Sequence, residues 1–149
     1  MEYIIRHCKE DDLAQLVMLC QKHAEYERAE FNADEKEALL EEALFAEDAK
    51  LFCFVVEINQ QVAGYFSYTF DFSTWEAKRF LHLDCLYLDD HCRGHGIGEE
   101  VMRKLKEIAL QENCVNIQWQ TPTFNERAIK FYNRIGGIGK EKMRFTLRV

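Results

Sequence analysis

The chain has 149 residues, 48% of them hydrophobic, and a formal net charge of −7. This length fits a single domain, residues 1–149, around one core. The negative charge argues against nucleic acid as a partner, because such binding depends on neutralising phosphates. The N-terminus is charged after a few apolar residues, and no apolar run reaches the roughly 20 residues that span a bilayer. We therefore expect a soluble protein that stays in the cytoplasm and binds no membrane.

The first half of the chain predicts one strand, two helices and a hairpin. In chain order these are a strand at residues 3–6, helices at residues 12–26 and 34–45, and strands at residues 51–58 and 62–70. Asp11 or Asp12 is the predicted cap of the first helix. The almost continuous apolar run at 51–58 is typical of a buried strand.

The second half alternates strands with helices. In chain order it predicts a strand at residues 80–88, a glycine loop at 93–98, a helix to about residue 111, a strand at 115–119, a helix at 125–135 and a strand at 143–147. Strict alternation along 80–88 places His82, Asp84, Leu86 and Leu88 on one face. The order predicts an α/β (α+β) fold. Its central sheet is mixed and mostly antiparallel, with six to seven strands flanked by about four helices.

The cysteines form no C-x-x-C pair, and their spacing matches no zinc site, so no metal is expected. They are Cys8, Cys20, Cys53, Cys85, Cys92 and Cys114. We expect free thiols, most of them buried as small apolar residues. Cys92 adjoins the glycine loop and is the one expected to be accessible.

The glycine loop, RGHGIG from Arg93 to Gly98, lies between a predicted strand and a predicted helix. Glycine permits positive φ and close backbone approach, so successive N–H groups can converge on an anion with help from the helix dipole. Arg93 adds a full positive charge for a phosphate oxygen. The loop therefore predicts pyrophosphate binding, although its G-x-G-x-G spacing matches neither the dinucleotide fingerprint nor a P-loop.

The segments LHLDCLYL, RGHGIG and NERAIKFYNRIGG, in this order, resemble the GNAT family of acetyl-CoA-dependent N-acetyltransferases over essentially the whole chain. The loop matches the family pattern Q/R-x-x-G-x-G/A, which cradles the coenzyme A pyrophosphate, at Arg93, Gly96 and Gly98. The later pattern, N-x-x-A-x-x-F-Y-x-x-x-G, is matched at Asn125, Ala128, Phe131, Tyr132 and Gly136. The resemblance implies the GNAT fold and acetyl-CoA as the acetyl donor.

The segments HAEYERAE and FLHLDCLYLDDHCRGHGIGEEVM resemble the diamine (spermidine/spermine) acetyltransferase branch more closely still. That branch implies a homodimer and a small cationic substrate, lined here by Tyr26, Glu27 and a cation–π wall at Trp75. The sequence departs from the branch in two places: Asp84-Cys85 replaces its Glu-Asp pair, and Ser73 replaces an aspartate ahead of the tryptophan. The substrate therefore stays open among polyamines, thialysine-like amino acids and aminoglycosides.

Acidic residues greatly outnumber basic ones between Glu25 and Asp48, where only Arg28 and Lys36 are positive. This stretch is either a solvated helix face or the source of a negative field that attracts a cationic substrate.

Acyl transfer to an amine needs a deprotonated amine, a stabilised oxyanion and a protonated leaving thiolate. Asp84 is the candidate for taking the amine proton through water, with His82 as the alternative base. The resemblance implies Tyr132 as the acid and the Leu86 N–H as the oxyanion donor. It also places Leu88 on the pantetheine arm. The further residues of the acetyl-CoA site are Arg93, Gly94, His95, Gly96, Ile97, Gly98 and Asn125.

Two other functions remain open for this sequence. One is a protein acetyltransferase that acts on a lysine or an N-terminus, which an open acidic groove would favour. The other is a non-catalytic acyl-CoA-binding module, which would bind coenzyme A without turnover.

Overall fold

The computed structural model describes residues 1–149 and contains four helices and five strands. They are β1 (Ile4–His7), α1 (Leu13–Tyr26), α2 (Lys36–Phe45), β2 (Phe52–Ile58), β3 (Gln61–Ser73), β4 (Lys78–Leu88), α3 (Ile97–Gln111), β5 (Ile117–Gln118) and α4 (Glu126–Arg134). The chain divides into two units, residues 1–119 with the whole sheet and residues 120–149 with α4. No helix is both long enough and apolar enough to cross a membrane.

The five strands lie in the order β1-β2-β3-β4-β5. The first three pairings are antiparallel, whereas β4 and β5 run parallel. This confirms the predicted α/β fold with a mixed, mostly antiparallel sheet and four helices. The number of strands is five rather than six to seven, since residues 143–147 form no strand. A strand requires a hydrogen-bonded neighbour, and the unit of residues 120–149 contains no strand to provide one.

Apolar residues on both faces of the sheet form the core of the first unit. On one face, Leu13, Leu16 and Leu19 of α1 pack with Val55 and Tyr65. On the other face, the rings of Phe54 and Phe66 stack with their centroids 5.2 Å apart, and the buried side chains of α3 include Val101 and Leu105. Helices α1 and α3 therefore cover opposite faces of the sheet.

The carboxylate that precedes α1 anchors the helix instead of capping it. Asp12 occupies the N-cap position without a side-chain capping bond. Its buried carboxylate accepts hydrogen bonds from Arg6 at 2.7 and 2.9 Å and from the Lys9 N–H at 2.7 Å. The hydrogen bond from the Arg6 guanidinium lowers the pKa of Asp12. The predicted cap thus ties α1 to β1.

Strand β4 carries a β-bulge at Asp84. Ser67 of β3 lies opposite Cys85 and Tyr68 lies opposite Leu83, so Asp84 is an extra residue without a partner. A bulge reverses the alternation of side chains beyond it.

The bulge changes the predicted faces of β4. Because residues directly opposite each other share a face, His82 lies on the face of Thr69, Ser67 and Cys85. Leu86 lies on the other face, opposite Phe66. The prediction that His82 shares a face with Leu86 and Leu88 is therefore wrong.

Candidate active site

One edge of β4 is open beyond the bulge. Strand β5 pairs with β4 only at Leu81 and His82 and ends at Gln118, whereas β4 continues to Leu88. The sheet therefore provides no neighbour on this side of β4 from Asp84 to Leu88. Such an edge offers backbone N–H and C=O groups to a ligand that pairs like a strand.

The register of β3 and β4 shows which groups face this edge. The Asp89 N–H donates to the Ala63 carbonyl at 2.9 Å, so these two residues form a hydrogen-bonded pair. Hydrogen-bonded and non-hydrogen-bonded pairs alternate along an antiparallel ladder. The N–H groups of Leu86 and Leu88 consequently point away from β3, toward the open edge. The Leu88 carbonyl also points away from β3, because it accepts a hydrogen bond from Arg93 Nε at 3.0 Å instead of from β3.

The glycine loop leads from this end of β4 into α3. Gly94 and Gly96 have φ of +81° and +78°, and a Cβ built at either residue would meet nothing within 4 Å. Gly96 is the N-cap of α3, and no side chain caps this end of the helix. The first N–H groups of a helix have no intrahelical acceptor, so Ile97 and Gly98 present theirs to the loop. The arrangement fits an anion such as a pyrophosphate.

The remaining side chains of the loop have different surroundings. Ile97 is 1% exposed, so it anchors α3 in the core and offers the loop only its backbone, whereas His95 is exposed. The Arg93 guanidinium bonds the Leu88 carbonyl, pairs with Asp90 Oδ1 at 2.8 Å and lies over the Tyr26 ring at 4.9 Å. Arg93 therefore ties the loop to β4 and α1. Its contact with a phosphate oxygen stays a prediction.

His23 organises the C-terminal end of α1, where Tyr26 and Glu27 were predicted to bind substrate. Its Nε2 is 2.6 Å from Glu27 Oε2, its Nδ1 is 2.9 Å from the Tyr65 hydroxyl, and its ring stacks on Tyr87 at 5.4 Å. Burial lowers the pKa of this imidazole. Hydrogen bonds with Cys85 and Glu27 outweigh that effect and raise the pKa to about 9. The sequence reasoning missed His23, and its signal was the i, i+4 spacing to Glu27 on one helix face.

The bulge places Asp84 at the surface, next to this cluster. Its side chain is exposed, and its Oδ2 accepts a long hydrogen bond from the Cys85 thiol at 3.7 Å. Bulges are common beside active sites because they redirect a side chain. Asp84 thus lies at the start of the open edge, two residues before the Leu86 N–H.

Trp75 lies apart from these residues within one chain. It is 99% exposed in the turn between β3 and β4. Six residues of strand, roughly 20 Å at about 3.3 Å per residue, separate Lys78 at the start of β4 from Asp84. The structure does not bring Trp75 together with Asp84 in one protomer.

In the second unit, Asn125 caps α4 as predicted. Its Oδ1 accepts a hydrogen bond from the Ala128 N–H at 3.4 Å, and its Nδ2 donates to Thr121 Oγ1 at 3.1 Å. Tyr132 lies half-buried on the same helix, with its ring 5.3 Å from that of Phe131. The roles of both residues toward coenzyme A stay predictions.

The six cysteines are free thiols, as expected. Cys92 differs from the expectation because it is fully buried, and its thiol contacts the Ala63 carbonyl at 3.7 Å. Burial also raises the pKa of this thiol. Cys92 is therefore a core residue instead of an accessible one.

The open edge of β4 and the uncapped N-terminus of α3 together can bind a ligand that carries both phosphate and amide groups. Residues 16–137 match the model of the Acetyltransferase (GNAT) family, so the chain belongs to this family and is an N-acetyltransferase. A thialysine N-epsilon-acetyltransferase from Bos taurus is 30% identical over 141 residues, which cover 89% of this chain and 82% of that protein. A spermidine/spermine N(1)-acetyltransferase-like protein 1 from Homo sapiens is 25% identical over 93% of this chain and 21% of its own length.

Solved structures agree on the fold. A possible acetyltransferase from Clostridium difficile 630 superposes with a TM-score of 0.81 at 22% identity, covering 100% of this chain and 99% of that one. An aminoglycoside N-acetyltransferase in complex with CoA superposes with a TM-score of 0.80 at 16% identity, covering 99% of this chain and 95% of that one. At these identities the likeness concerns the fold alone.

Proposed function

We propose that the protein transfers an acetyl group from acetyl-CoA to a primary amine of a small cationic molecule, by direct attack in a ternary complex. The observation that carries the proposal is the open edge of β4, where the N–H groups of Leu86 and Leu88 lie between the anion-binding loop and the Asp84 carboxylate. Acetyl-CoA, when bound, supplies an acyl thioester. Residues of this chain bind, orient and deprotonate.

Backbone groups hold the donor in this proposal. The first N–H groups of α3 and the loop from Arg93 to Gly98 bind the pyrophosphate, because the helix end is uncapped and the space beside Gly94 and Gly96 is open. The Leu88 N–H bonds the pantetheine arm. The Leu86 N–H, two residues nearer the bulge, stabilises the oxyanion.

Carboxylates bind the amine on the acceptor side. Tyr26 and Glu27 lie at the end of α1, and the protonated His23 imidazole balances the charge of Glu27. Asp84, at the bulge, forms no salt bridge with a cationic side chain, and it takes the amine proton through water. Thialysine, the substrate in the name of the bovine relative, is an amino acid with a side-chain amine and so belongs to this class of small cationic acceptors.

Tyr132 is the proposed acid for the leaving thiolate. Support comes from the position of Tyr132 in the family pattern that runs from Asn125 to Gly136. The first residue of that pattern, Asn125, caps α4 in the structure. The cap sets where α4 begins and hence the direction in which Tyr132 projects.

We infer one domain and a homodimer. The family match, residues 16–137, includes parts of both units, which supports a single domain. Exposed apolar residues at alternate positions of the C-terminal segment support a dimer interface. Trp75 would contact substrate in such a dimer only by reaching the site of the partner protomer.

The test is an assay of purified protein with acetyl-CoA, following thiol release with spermidine, short diamines, thialysine, an aminoglycoside and a lysine peptide. Tyr132→Phe and Asp84→Asn should each lower kcat by roughly 100-fold or more, the usual size of an acid–base contribution. Tyr68→Phe removes a buried hydroxyl on the face of β3 opposite to Cys85, and Asp71→Asn removes an exposed carboxylate on β3. Both controls should retain parental rates.

Turnover of the lysine peptide alone would instead identify a protein acetyltransferase. Binding of acetyl-CoA without turnover of any amine would contradict the proposal and favour a non-catalytic module.

A further inference from the structure

One side chain connects the glycine loop to the end of α1 that is proposed to bind the amine. Arg93 begins the loop, and Tyr26 is the last residue of α1. The central carbon of the Arg93 guanidinium lies 4.9 Å from the centroid of the Tyr26 ring and 5.8 Å from that of Tyr87. Both distances are within the roughly 6 Å over which an aromatic face attracts a cation. Arg93 therefore contacts one tyrosine of α1 and one of β4.

Hydrogen bonds hold Arg93 to the end of β4. Its Nε donates to the Leu88 carbonyl at 3.0 Å, and its Nη1 pairs with Asp90 Oδ1 at 2.8 Å. The Arg93 side chain is only 16% exposed, whereas Asp90 is 90% exposed and so adds little attraction. A guanidinium that is largely removed from water needs contacts that replace its hydration. The Leu88 carbonyl and the two rings provide such contacts within the protein.

The contacts of Arg93 extend further into the proposed amine site. The Tyr87 ring, which contacts Arg93 on one side, also stacks on His23 at 5.4 Å. His23 Nε2 lies 2.6 Å from Glu27 Oε2. Tyr26 is thus connected to Arg93 directly, and Glu27 is connected to it through two rings. A role of Arg93 as a phosphate ligand alone accounts for none of these contacts.

We propose that Arg93 is a positioning residue that joins the glycine loop to the end of α1, so that the Tyr26 ring strengthens acetyl-CoA binding through Arg93. The guanidinium holds the Leu88 carbonyl and the Tyr26 ring at the same time. Loss of the ring releases one side of the guanidinium and loosens the start of the loop. Loss of the guanidinium removes a cation that orients the ring. The inference rests on the proposed function for the location of the two sites, but its first test requires no turnover.

The first test measures the dissociation constant of acetyl-CoA by isothermal titration calorimetry without amine. Tyr26→Leu should raise this constant about fivefold, the size of a partly buried cation–π contact. Tyr26→Phe keeps the ring and should restore the parental constant, which separates the ring from its hydroxyl. Tyr26 is 41% exposed, so neither change endangers the fold. An unchanged constant in Tyr26→Leu would overturn the inference.

Two further variants show whether Arg93 transmits the effect. Arg93→Gln can still donate to the Leu88 carbonyl but carries no charge, so adding Tyr26→Leu to it should cause no further change. A fivefold effect of Tyr26→Leu in that background would overturn the role of Arg93. Phe70→Leu is the matched control, because it removes a similar pair on the β3–β4 hairpin, with Arg79 at 4.5 Å from the ring. This control should bind acetyl-CoA with the parental constant.

Initial rates at saturating acetyl-CoA test the amine side. Arg93→Gln should raise the KM for the amine more than it lowers kcat, because the proposed acid and base, Tyr132 and Asp84, are unchanged. A fall in kcat with a parental KM would overturn this half of the inference.

The inference and the proposed function fail in different ways. Weaker acetyl-CoA binding by Tyr26→Leu, in a protein that acetylates no amine, would support the connection through Arg93 and contradict the proposed function. Amine acetylation by a protein whose acetyl-CoA binding does not respond to Tyr26→Leu would overturn the inference alone.

Discussion

His23 differs from a histidine that merely fills a core, because its two ring nitrogens contact a hydroxyl and a carboxylate. Its position on α1 allows it to reach Tyr65 of β3 and Tyr87 of β4 at the same time. One residue therefore links the helix that contributes Tyr26 and Glu27 to the strand that contributes Asp84. Its protonation should affect both the stability of the fold and the charge of the acceptor site.

We expect stability to depend on the protonation of His23. Its pKa rises from 6.5 in the unfolded chain to about 9 in the fold. Because the folded value is the higher one, its contribution is complete below about pH 6.5 and is lost as the pH rises toward 9. At about 1.4 kcal/mol per pH unit, the loss is about 3 kcal/mol at most. Urea unfolding of the parent and of His23→Gln across this window measures it.

The free energy of unfolding of His23→Gln should change less with pH than that of the parent between pH 6.5 and 9, because glutamine does not titrate. Glu27→Gln removes only one of the two partners that raise the pKa, so its slope should be intermediate. Equal slopes for His23→Gln and the parent would show that His23 has the same pKa in both states.

At the scale of elements, the close approach of β3 and β4 positions the open edge of β4, which is proposed to bind acetyl-CoA. A Cβ at Gly64 would lie 2.6 Å from Leu88 Cδ2 and 2.9 Å from the Tyr87 carbonyl oxygen. These distances are too short for a real contact, so only glycine lets Leu88 sit at this register. Leu88 is the residue whose N–H is proposed to bond the pantetheine arm.

Gly64→Ala should therefore displace the end of β4. We expect a loss of about 1–3 kcal/mol in the free energy of unfolding, as for overpacking elsewhere. We also expect an increase in KM for acetyl-CoA that exceeds any change in KM for the amine. Gly139→Ala is the control for the substitution itself, since its Cβ would meet nothing within 4 Å. Urea unfolding and initial-rate kinetics measure the two effects, and unchanged acetyl-CoA kinetics would argue against Leu88 as a donor contact.

At the scale of the whole molecule, the C-terminal segment indicates an interface. Its apolar residues occupy alternate positions and are 80 to 123% exposed: Met143, Phe145, Leu147 and Val149. Alternation of this kind is typical of a strand with one buried face, yet the segment has no strand partner in its own unit. Exposed apolar side chains in such a row support the dimer interface that we propose.

A variant with Met143→Ser, Phe145→Ser and Leu147→Ser should shift the protein from dimer to monomer in sedimentation velocity. The matched control changes Arg144, Thr146 and Arg148, which occupy the intervening positions of the same segment, to alanine. That control should remain dimeric. A parent protein that sediments as a monomer would contradict the interface.

Local patterns of the sequence were enough to predict most of the helices and strands and to indicate the family. The apolar run of β2, the glycines before α3 and the Asn125 cap predicted their elements, because each depends on neighbours within a few residues. The loop and the α4 pattern together also indicated the family, since their spacing reflects a shared donor. The roles of Leu86 and Leu88 followed from the same resemblance and stay predictions.

Only the tertiary structure decided which distant residues meet. The bulge at Asp84 comes from the register between β4 and β3, and it turned His82 to the opposite face from the one that alternation predicts. Cys92 became a core residue because Ala63, distant in the chain, lies against it. The contacts of His23 with Tyr65 and Tyr87 arise in the same way. Their separation in sequence leaves no periodic signal, since long-range pairing is set by the packing of whole elements instead of by local propensity.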